Sequence, residues 1–195
     1  MSIVPKGFQN IGYYLVEPIT PPACFDLACN KLLSLSDCIA NIYPPQAESL
    51  SPRMMKLAED ARFLSAESRF SRLKDALLVY KEYSEKADGL RIVGRFAAKD
   101  IARRVISEEN SFCLCGENLE PKIFLGGEIL GFDGGVHSYL CNGLDKVLRK
   151  KFAIRWNGWG LIENSYEEMR TFAAFIQGQG EPTDWLPYLL FDYTP

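Results

Sequence analysis

The hydrophobic pattern of the chain changes at about Asn110, and this change limits the fold classes open to it. Before Asn110, apolar residues recur at helical spacing, as in the predicted helices over residues 51–64 and 68–83. After it, short β-forming runs follow one another between glycine-rich turns. Because helices and strands do not alternate regularly, a doubly wound parallel sheet is not supported. We predict an α+β fold with a mainly antiparallel sheet, several surface helices and a helix-rich N-terminal half.

The N-terminal half is predicted to contain two strands besides its helices. The strands cover residues 12–16 and 90–96, where β-forming residues are concentrated. Two more helices are expected, over residues 24–40 and 97–108. The first of these helices is predicted because apolar residues between Cys24 and Ala40 recur at a spacing of about 3.6 residues.

The C-terminal half is predicted to be richer in strands. Gly126-Gly127 suits a hairpin turn between two of them. Ser165 and Glu168 form a capping box, which predicts the start of an amphipathic helix. Another helix is expected over residues 144–152. The expected strands cover residues 112–115, 122–125, 128–132, 136–140, 154–162 with an interruption at Asn157-Gly158, and 185–193.

Length and composition favour one domain over residues 1–195. The chain has 195 residues, of which 47% are hydrophobic and 24% charged, so it can bury an ordinary core. Within this domain we distinguish a helical subregion, residues 1–110, and a sheet-rich subregion, residues 111–195.

The charge distribution bears on the class of partner. The net charge of −3 argues against a general nucleic-acid-binding protein, which needs a basic face. Residues 1–110 carry 15 Lys and Arg against 14 Asp and Glu, whereas residues 111–195 carry 7 against 11. No apolar run reaches the roughly 18 residues of a membrane helix, and the start lacks the pattern of a signal peptide. We therefore expect a cytoplasmic protein that does not bind membranes.

The six cysteines are irregularly spaced and form no CxxC pair. Cys113 and Cys115 would share one face of a strand, and a zinc site would then need Cys141 and His137 as further ligands. Zinc sites usually have tighter ligand pairs, so reduced thiols are the preferred interpretation. We expect neither a metal nor a cofactor.

The segment from Asp133 to Gly143 contains the only histidine of the chain and gathers several reactive residue types. If the protein is an enzyme, Cys141 would be the nucleophile, His137 its base and Asp133 the orienting group. On a strand, His137 and Cys141 would lie roughly 13 Å apart, so direct contact requires a turn. The alternative interpretation is a tight turn that leads into the next helix.

Two surface features indicate binding. A basic cluster on and after the predicted helix over residues 144–152 can contact phosphates or an acidic protein, or be a solvated face. Tryptophan and tyrosine, which dominate binding hot spots, are concentrated late in the chain. Asp and Glu also outnumber Lys and Arg in this part of the chain. This combination predicts a docking surface for a basic partner. The predicted partner-binding residues are Trp156, Trp159, Asp133, Glu163 and Trp185.

Three stretches in about the last 75 residues resemble bacterial immunity-type proteins of toxin systems: GEILGFDGGVHSYLCNGLDKVL, WNGWGLIENSYEEM and DWLPYLLFDY. The resemblance implies a non-enzymatic cytoplasmic protein that binds and neutralises a cognate toxin. It assigns no functional residue and predicts little about the fold, because that group is structurally diverse.

The main hypothesis is therefore a cytoplasmic protein-binding module, an inhibitor that occludes a cognate partner protein. Two alternatives remain open. One is a small hydrolase or transferase that depends on cysteine and histidine, and the other is a structural or phage-assembly component. The sequence assigns neither a particular partner nor an oligomeric state.

Overall fold

The fold described below is that of a computed structural model of the chain. The structure describes most of the chain outside four larger gaps, at residues 44–51, 53–68, 109–118 and 180–182. The described residues are 2–25, 27–36, 38–39, 41–43, 52, 69–85, 87–108, 119–132, 135–141, 143–179 and 183–195.

The centre of the fold is one sheet, in which the described residues form six strands in the order β2-β1-β3-β6-β4-β5. All pairs of neighbouring strands are antiparallel. This confirms the predicted antiparallel sheet. The strands are β1 (Phe8–Glu17), β2 (Asn41–Tyr43), β3 (Arg91–Ala98), β4 (Ile123–Phe132), β5 (Val136–Ser138) and β6 (Leu186–Asp192).

The predicted α+β class is also confirmed, because α-helices accompany the sheet. Within the described residues they are α1 (Leu73–Tyr83), α2 (Lys99–Glu108), α3 (Leu144–Arg149) and α4 (Tyr166–Gln177). Two of these precede Asn110 and two follow it, so a helix-rich N-terminal half is not shown. The helix predicted over residues 51–64 lies outside the described residues except for Pro52.

Strand β6 comes last in the chain but lies in the middle of the sheet. It pairs with β3, where Val93 faces Asp192, and with β4, where Leu130 faces Leu186. All seven of its residues are buried. The apolar composition of this strand follows from its position, because both of its faces and both of its edges contact protein.

Both faces of the sheet are covered by apolar packing. On β1, Tyr13 and Leu15 belong to a cluster with α1, whereas Tyr14 and Val16 belong to a cluster that includes residues of α2. This alternation follows from the two-residue period of a strand. Helices α3 and α4 pack in a third cluster with Ile129 of β4.

The predicted helix over residues 24–40 is wrong. In the described part of this stretch, Ala23–Phe25 form a 3-10 turn and residues 27–36 are not helical. Leu32 instead pairs with Ile19 in an isolated β-bridge. Long-range contacts of this segment override its helical spacing, since its buried serines bond to the sheet as described below.

The predicted hairpin turn at Gly126-Gly127 is also wrong, because β4 runs through both glycines without a break. The register with β6 shifts between Phe124 and Gly126, which marks a β-bulge. Gly126 has a φ of +142°, and a Cβ there would lie 2.6 Å from Cβ of Leu161. The glycines thus allow another segment to pack closely on the strand.

The capping box at the start of α4 is confirmed. The backbone N–H of Glu168 donates to Oγ of Ser165 at 3.3 Å, and the N–H of Ser165 donates to Oε2 of Glu168 at 2.9 Å. These bonds satisfy donors that the first turn of a helix leaves without partners.

Candidate functional site

Residues 32–39, here called the crossing segment, link three distant parts of the fold. Leu32 exchanges backbone hydrogen bonds with Ile19, and the N–H of Leu33 donates to the carbonyl oxygen of Trp159 at 3.0 Å. Oγ of Ser36 donates to the carbonyl oxygen of Val136 in β5 at 3.0 Å. The crossing segment therefore brings its side chains against the 133–143 segment that the sequence analysis singled out.

Glu128 of β4 is a buried carboxylate, only 2% exposed, beneath the crossing segment. The Ser34 hydroxyl donates to its Oε1, and the N–H of Leu35 donates to its Oε2 at 3.0 Å. Burial raises the pKa of Glu128 to about 7, although hydrogen bonds from Ser34, Leu35 and Ser138 and the charge of Arg95 lower it. Loss of water around the carboxylate therefore outweighs these compensating contacts.

Arg95 of β3 provides the positive charge near Glu128 and is fully buried. Its guanidinium carbon lies 4.9 Å from the ring centroid of Tyr188, 5.2 Å from that of Phe132 and 5.3 Å from that of Tyr14. These are cation–π distances, so aromatic faces replace part of the lost hydration. Neither Arg95 nor Glu128 was among the predicted site residues, although a charged residue inside an apolar run of the sequence was a usable signal.

His137 lies beside a cysteine that the sequence analysis did not select. Its Nδ1 is 3.6 Å from Sγ of Cys38, an exposed residue of the crossing segment. This contact joins positions 99 residues apart, so no local spacing could have indicated it.

Cys141 belongs to the same cluster but has a more enclosed position. Its Sγ lies 3.4 Å from Oγ of Ser36, and the Cys38 side chain is a hydrogen-bond partner. Burial raises the pKa of Cys141 to about 11. A raised pKa lowers the fraction of thiolate at neutral pH, which counts against Cys141 as the nucleophile of the enzyme alternative. We call Ser36, Cys38, His137 and Cys141 the thiol cluster.

The remaining predicted residues of this site lie outside the described residues. They are Asp133, the proposed orienting group, and Cys113 and Cys115, the other ligands of the zinc alternative. Among the residues that are described, no group of three or more His, Cys, Asp or Glu is arranged to hold a metal ion.

Residues 156–162, here called the tryptophan loop, carry two of the predicted partner-binding residues. Its ends meet in a bridge between Trp156 and Ile162. Nδ2 of Asn157 donates to the carbonyl oxygen of Leu125 at 2.6 Å, and its Oδ1 accepts from the N–H of Trp159 at 2.9 Å. Asn157 thus closes the loop and fastens it to β4, together with the two backbone hydrogen bonds that Ile162 exchanges with Gly127. The interrupted strand predicted over residues 154–162 is therefore wrong, because this stretch forms a loop with isolated bridges.

Each tryptophan of this loop is half-buried beneath an arginine. The guanidinium carbon of Arg149 lies 4.4 Å from the Trp156 ring centroid, and that of Arg91 lies 4.5 Å from the Trp159 ring centroid. Nε1 of Trp156 also donates to the hydroxyl of Tyr139 at 2.7 Å. Burial raises the pKa of Tyr139, so its hydroxyl is neutral and able to accept this bond.

The other predicted partner-binding residues do not share one environment. Glu163 is exposed and adjoins the tryptophan loop, since its N–H donates to the carbonyl oxygen of Arg155 at 2.9 Å. Trp185 is 3% exposed and lies in the core with α3 and α4. The structure therefore places Trp156 and Trp159 on one loop with Glu163 directly after it, and places Trp185 in the interior.

The charge beside the tryptophan loop differs from the expected acidic face. Arg149 and Arg91 cover the two indole rings, and four more basic side chains of the same region are exposed. These four, with Arg149, form the basic cluster expected from the sequence: Lys146, Lys150, Lys151 and Arg155.

Comparison with known proteins found no matching family model, no matching curated protein and no matching solved structure. Within the described part of the chain, none of the helices is long and apolar enough to cross a membrane.

Proposed function

We propose that this chain is a protein-binding module of the bacterial cytoplasm, an immunity-type inhibitor that occludes a cognate partner, such as a toxin. The observation that carries the proposal is the pair of tryptophan–arginine stacks, at 4.4 Å and 4.5 Å, on one fastened loop. Tryptophan and arginine are the residues most enriched in binding hot spots.

The construction of the tryptophan loop supports a binding role. Asn157 holds the loop through both of its side-chain polar atoms, so the two indoles are positioned before a partner arrives. A prepositioned surface loses less conformational entropy on binding than a flexible one. An inhibitor that acts by covering its partner also needs no catalytic side chain in the tryptophan loop.

The charges near the loop favour an acidic partner over the basic partner expected from the sequence. Arg155 of the basic cluster directly precedes Trp156, and four of the five members of this cluster are exposed. The exposed acids nearby include Glu163 and Glu168, and the charge of Arg155 acts on Glu168. A partner surface rich in carboxylates would complement this face and associate faster at low ionic strength.

Two further parts of the proposal come from the sequence. The resemblance to immunity-type proteins includes the tryptophan loop, which supports inhibition as the outcome of binding. In the sequence, Ser51 is a helix-capping residue and Pro52 suits the first position of a helix. This pair supports the predicted helix over residues 51–64, and with it a helix-rich N-terminal half.

The first experiment measures affinity for a captured partner. Tagged protein is used to isolate stoichiometric partners from native lysate, and the dissociation constant of the candidate is then measured for Trp156→Ala and Trp159→Ala. We expect each variant to lose about 2 kcal/mol, which is roughly a thirtyfold weaker affinity. Tyr80→Ala is the matched control, because Tyr80 is a half-buried aromatic residue of α1 and packs in the cluster on the other face of the sheet from Trp159.

Three results would contradict the proposal. These are near-zero losses at both tryptophans, an equal loss in the Tyr80→Ala control, or a captured partner that is a nucleic acid. Arg155→Glu is a second variant whose effect cannot be attributed to misfolding, because it changes only an exposed charge. If an acidic surface docks here, Arg155→Glu should slow association and reduce its salt dependence.

Inhibition is tested separately from binding. The captured partner is expressed in cells with the wild-type protein or with Trp159→Ala. We expect only the wild type to restore growth if the partner is a toxin. Equal growth with both proteins would disconnect the loop from inhibition.

A further inference from the structure

Cys38 and Cys141 are neighbouring thiols in unequal environments. Cys38 is exposed and has His137 at 3.6 Å, whereas Cys141 is half-buried against Ser36. Solvent and small molecules therefore reach Cys38 first.

Ser36 holds both cysteines through one oxygen atom. Its hydroxyl hydrogen is used in the bond to the Val136 carbonyl oxygen, so its Oγ is an acceptor towards Cys141, 3.4 Å away. The same Oγ accepts from the backbone N–H of Cys38 at 3.2 Å. This arrangement keeps the two thiols adjacent and directs the Cys141 proton towards a neutral acceptor.

We propose that the thiol cluster is a redox site, in which Cys38 attacks a peroxide and Cys141 then forms a disulfide with Cys38. This function goes beyond the proposed binding function and does not depend on it.

The chemistry balances in two steps. In the first, the Cys38 sulfur attacks one oxygen of hydrogen peroxide, the O–O bond breaks, and the thiol proton passes through His137 to the departing hydroxide. Cys38 becomes a sulfenic acid and one water is released. In the second, the Cys141 sulfur attacks the Cys38 sulfur, the S–O bond breaks, and the Cys141 proton leaves with the hydroxide as a second water. Two thiols are oxidised and one peroxide is reduced.

The unequal environments assign the two roles. A reactive, sensing cysteine is accessible and has a group that takes its proton, and often has a second cysteine nearby. Burial raises the pKa of Cys141 to about 11, so Cys141 is a poor first attacker. Its position suits it to resolve the sulfenic acid, because both cysteines contact the same Ser36 oxygen and their side chains are hydrogen-bond partners.

The disulfide would also change the fold locally. It would join the crossing segment to the turn after β5 by a covalent bond, in addition to the hydrogen bond from Ser36 to Val136. A bond between positions this far apart in the chain restricts the unfolded state and should raise the melting temperature. A small-molecule thiol would reverse the bond by exchange.

The test treats the reduced full-length protein with stoichiometric hydrogen peroxide and maps disulfides by mass spectrometry of non-reduced peptides. We expect a Cys38–Cys141 peptide pair that disappears on treatment with dithiothreitol. Cys141→Ser should instead accumulate a sulfenic acid at Cys38, trapped by a dimedone probe. Cys38→Ser should prevent both products. Cys24→Ser is the matched control and should behave like the wild type, because Cys24 is an exposed cysteine in the 3-10 turn.

The role of His137 has its own readout. In the wild type, Cys38 should react with peroxide about tenfold or more faster than Cys24 near neutral pH. His137→Asn should bring the peroxide reaction rate of Cys38 close to that of Cys24 and change the pH dependence of the Cys38 rate. The melting temperature of the reduced variant should stay close to that of the reduced wild type.

Three outcomes would overturn the proposal. The first is equal rates at Cys38 and Cys24 in the wild type. The second is oxidation that joins other cysteines while Cys38 and Cys141 remain reduced. The third is a Cys38 sulfenic acid that persists in the wild type as it does in Cys141→Ser, which would show that Cys141 does not resolve it.

Discussion

Nδ2 of Asn157 donates a 2.6 Å hydrogen bond to the carbonyl oxygen of Leu125 and thereby fastens the tryptophan loop to β4. The acceptor lies next to the bulge at Gly126, where the ladder between β4 and β6 is irregular. The bulge thus provides both the acceptor and the space for the loop.

Asn157→Ala should lower the free energy of unfolding by about 1–3 kcal/mol, because the Leu125 carbonyl and two backbone N–H groups of the loop lose their partner. It should also weaken binding of a partner while both tryptophans remain. Urea unfolding and a dissociation constant measure the two effects. Asn30→Ala changes an exposed asparagine and serves as the control. Unchanged stability in Asn157→Ala would show that the loop does not depend on this residue.

Gly126→Ala should destabilise the protein by about 1–3 kcal/mol, since the added Cβ would lie 2.6 Å from Cβ of Leu161 and the φ of +142° disfavours a side chain. Gly158→Ala should have an effect near zero, because nothing lies within 4 Å of its added Cβ. Thermal unfolding of the two variants distinguishes a close-packed glycine from a permissive one. Equal stabilities would contradict this account of the bulge.

The buried Glu128 predicts an unusual dependence of stability on pH. Its folded pKa, about 7, lies above the ordinary value of 4.5, so the folded state holds a proton that the unfolded state releases. The free energy of unfolding should therefore fall as pH rises from about 4.5 to about 7, by an amount of the order of 3 kcal/mol, and then level off.

Glu128→Gln should remove most of this slope, because the variant has no proton to release. Arg95, Ser34 and Ser138 are neighbours that lower the pKa of Glu128 in the wild type. Urea unfolding of both proteins at several pH values provides the comparison. An unchanged slope in Glu128→Gln would assign the pH dependence to other groups.

Cys141 should be alkylated slowly at neutral pH. Because burial raises its pKa to about 11, only a minute fraction is thiolate, and the rate should increase about tenfold for each pH unit between about pH 7 and pH 9. Iodoacetamide labelling followed by peptide mass spectrometry measures this rate at Cys141 separately from other cysteines. A rate that levels off near pH 7 would instead restore Cys141 as an activated nucleophile.

Features that depend on near neighbours in the chain were predictable. The capping box of Ser165 and Glu168 uses residues three apart in the chain. The apolar run that forms β6 predicts a strand, whatever position that strand takes in the sheet. The sequence also directed attention to the 133–143 segment, because it holds the single histidine. That segment does contribute His137 and Cys141 to a cluster of reactive side chains.

Contacts between remote residues were not predictable. The spacing of apolar residues favoured a helix over 24–40, but Ser34 and Ser36 bond to Glu128 and Val136, and an extended path is the one that brings both hydroxyls to the sheet. Likewise, Cys38 meets His137 only because the crossing segment passes over β5. Local propensity is worth a few tenths of a kcal/mol per residue, and buried hydrogen bonds between distant segments outweigh it. The amino-acid order therefore specifies the local elements, whereas the assembled sheet selects which thiols, charges and indoles become neighbours.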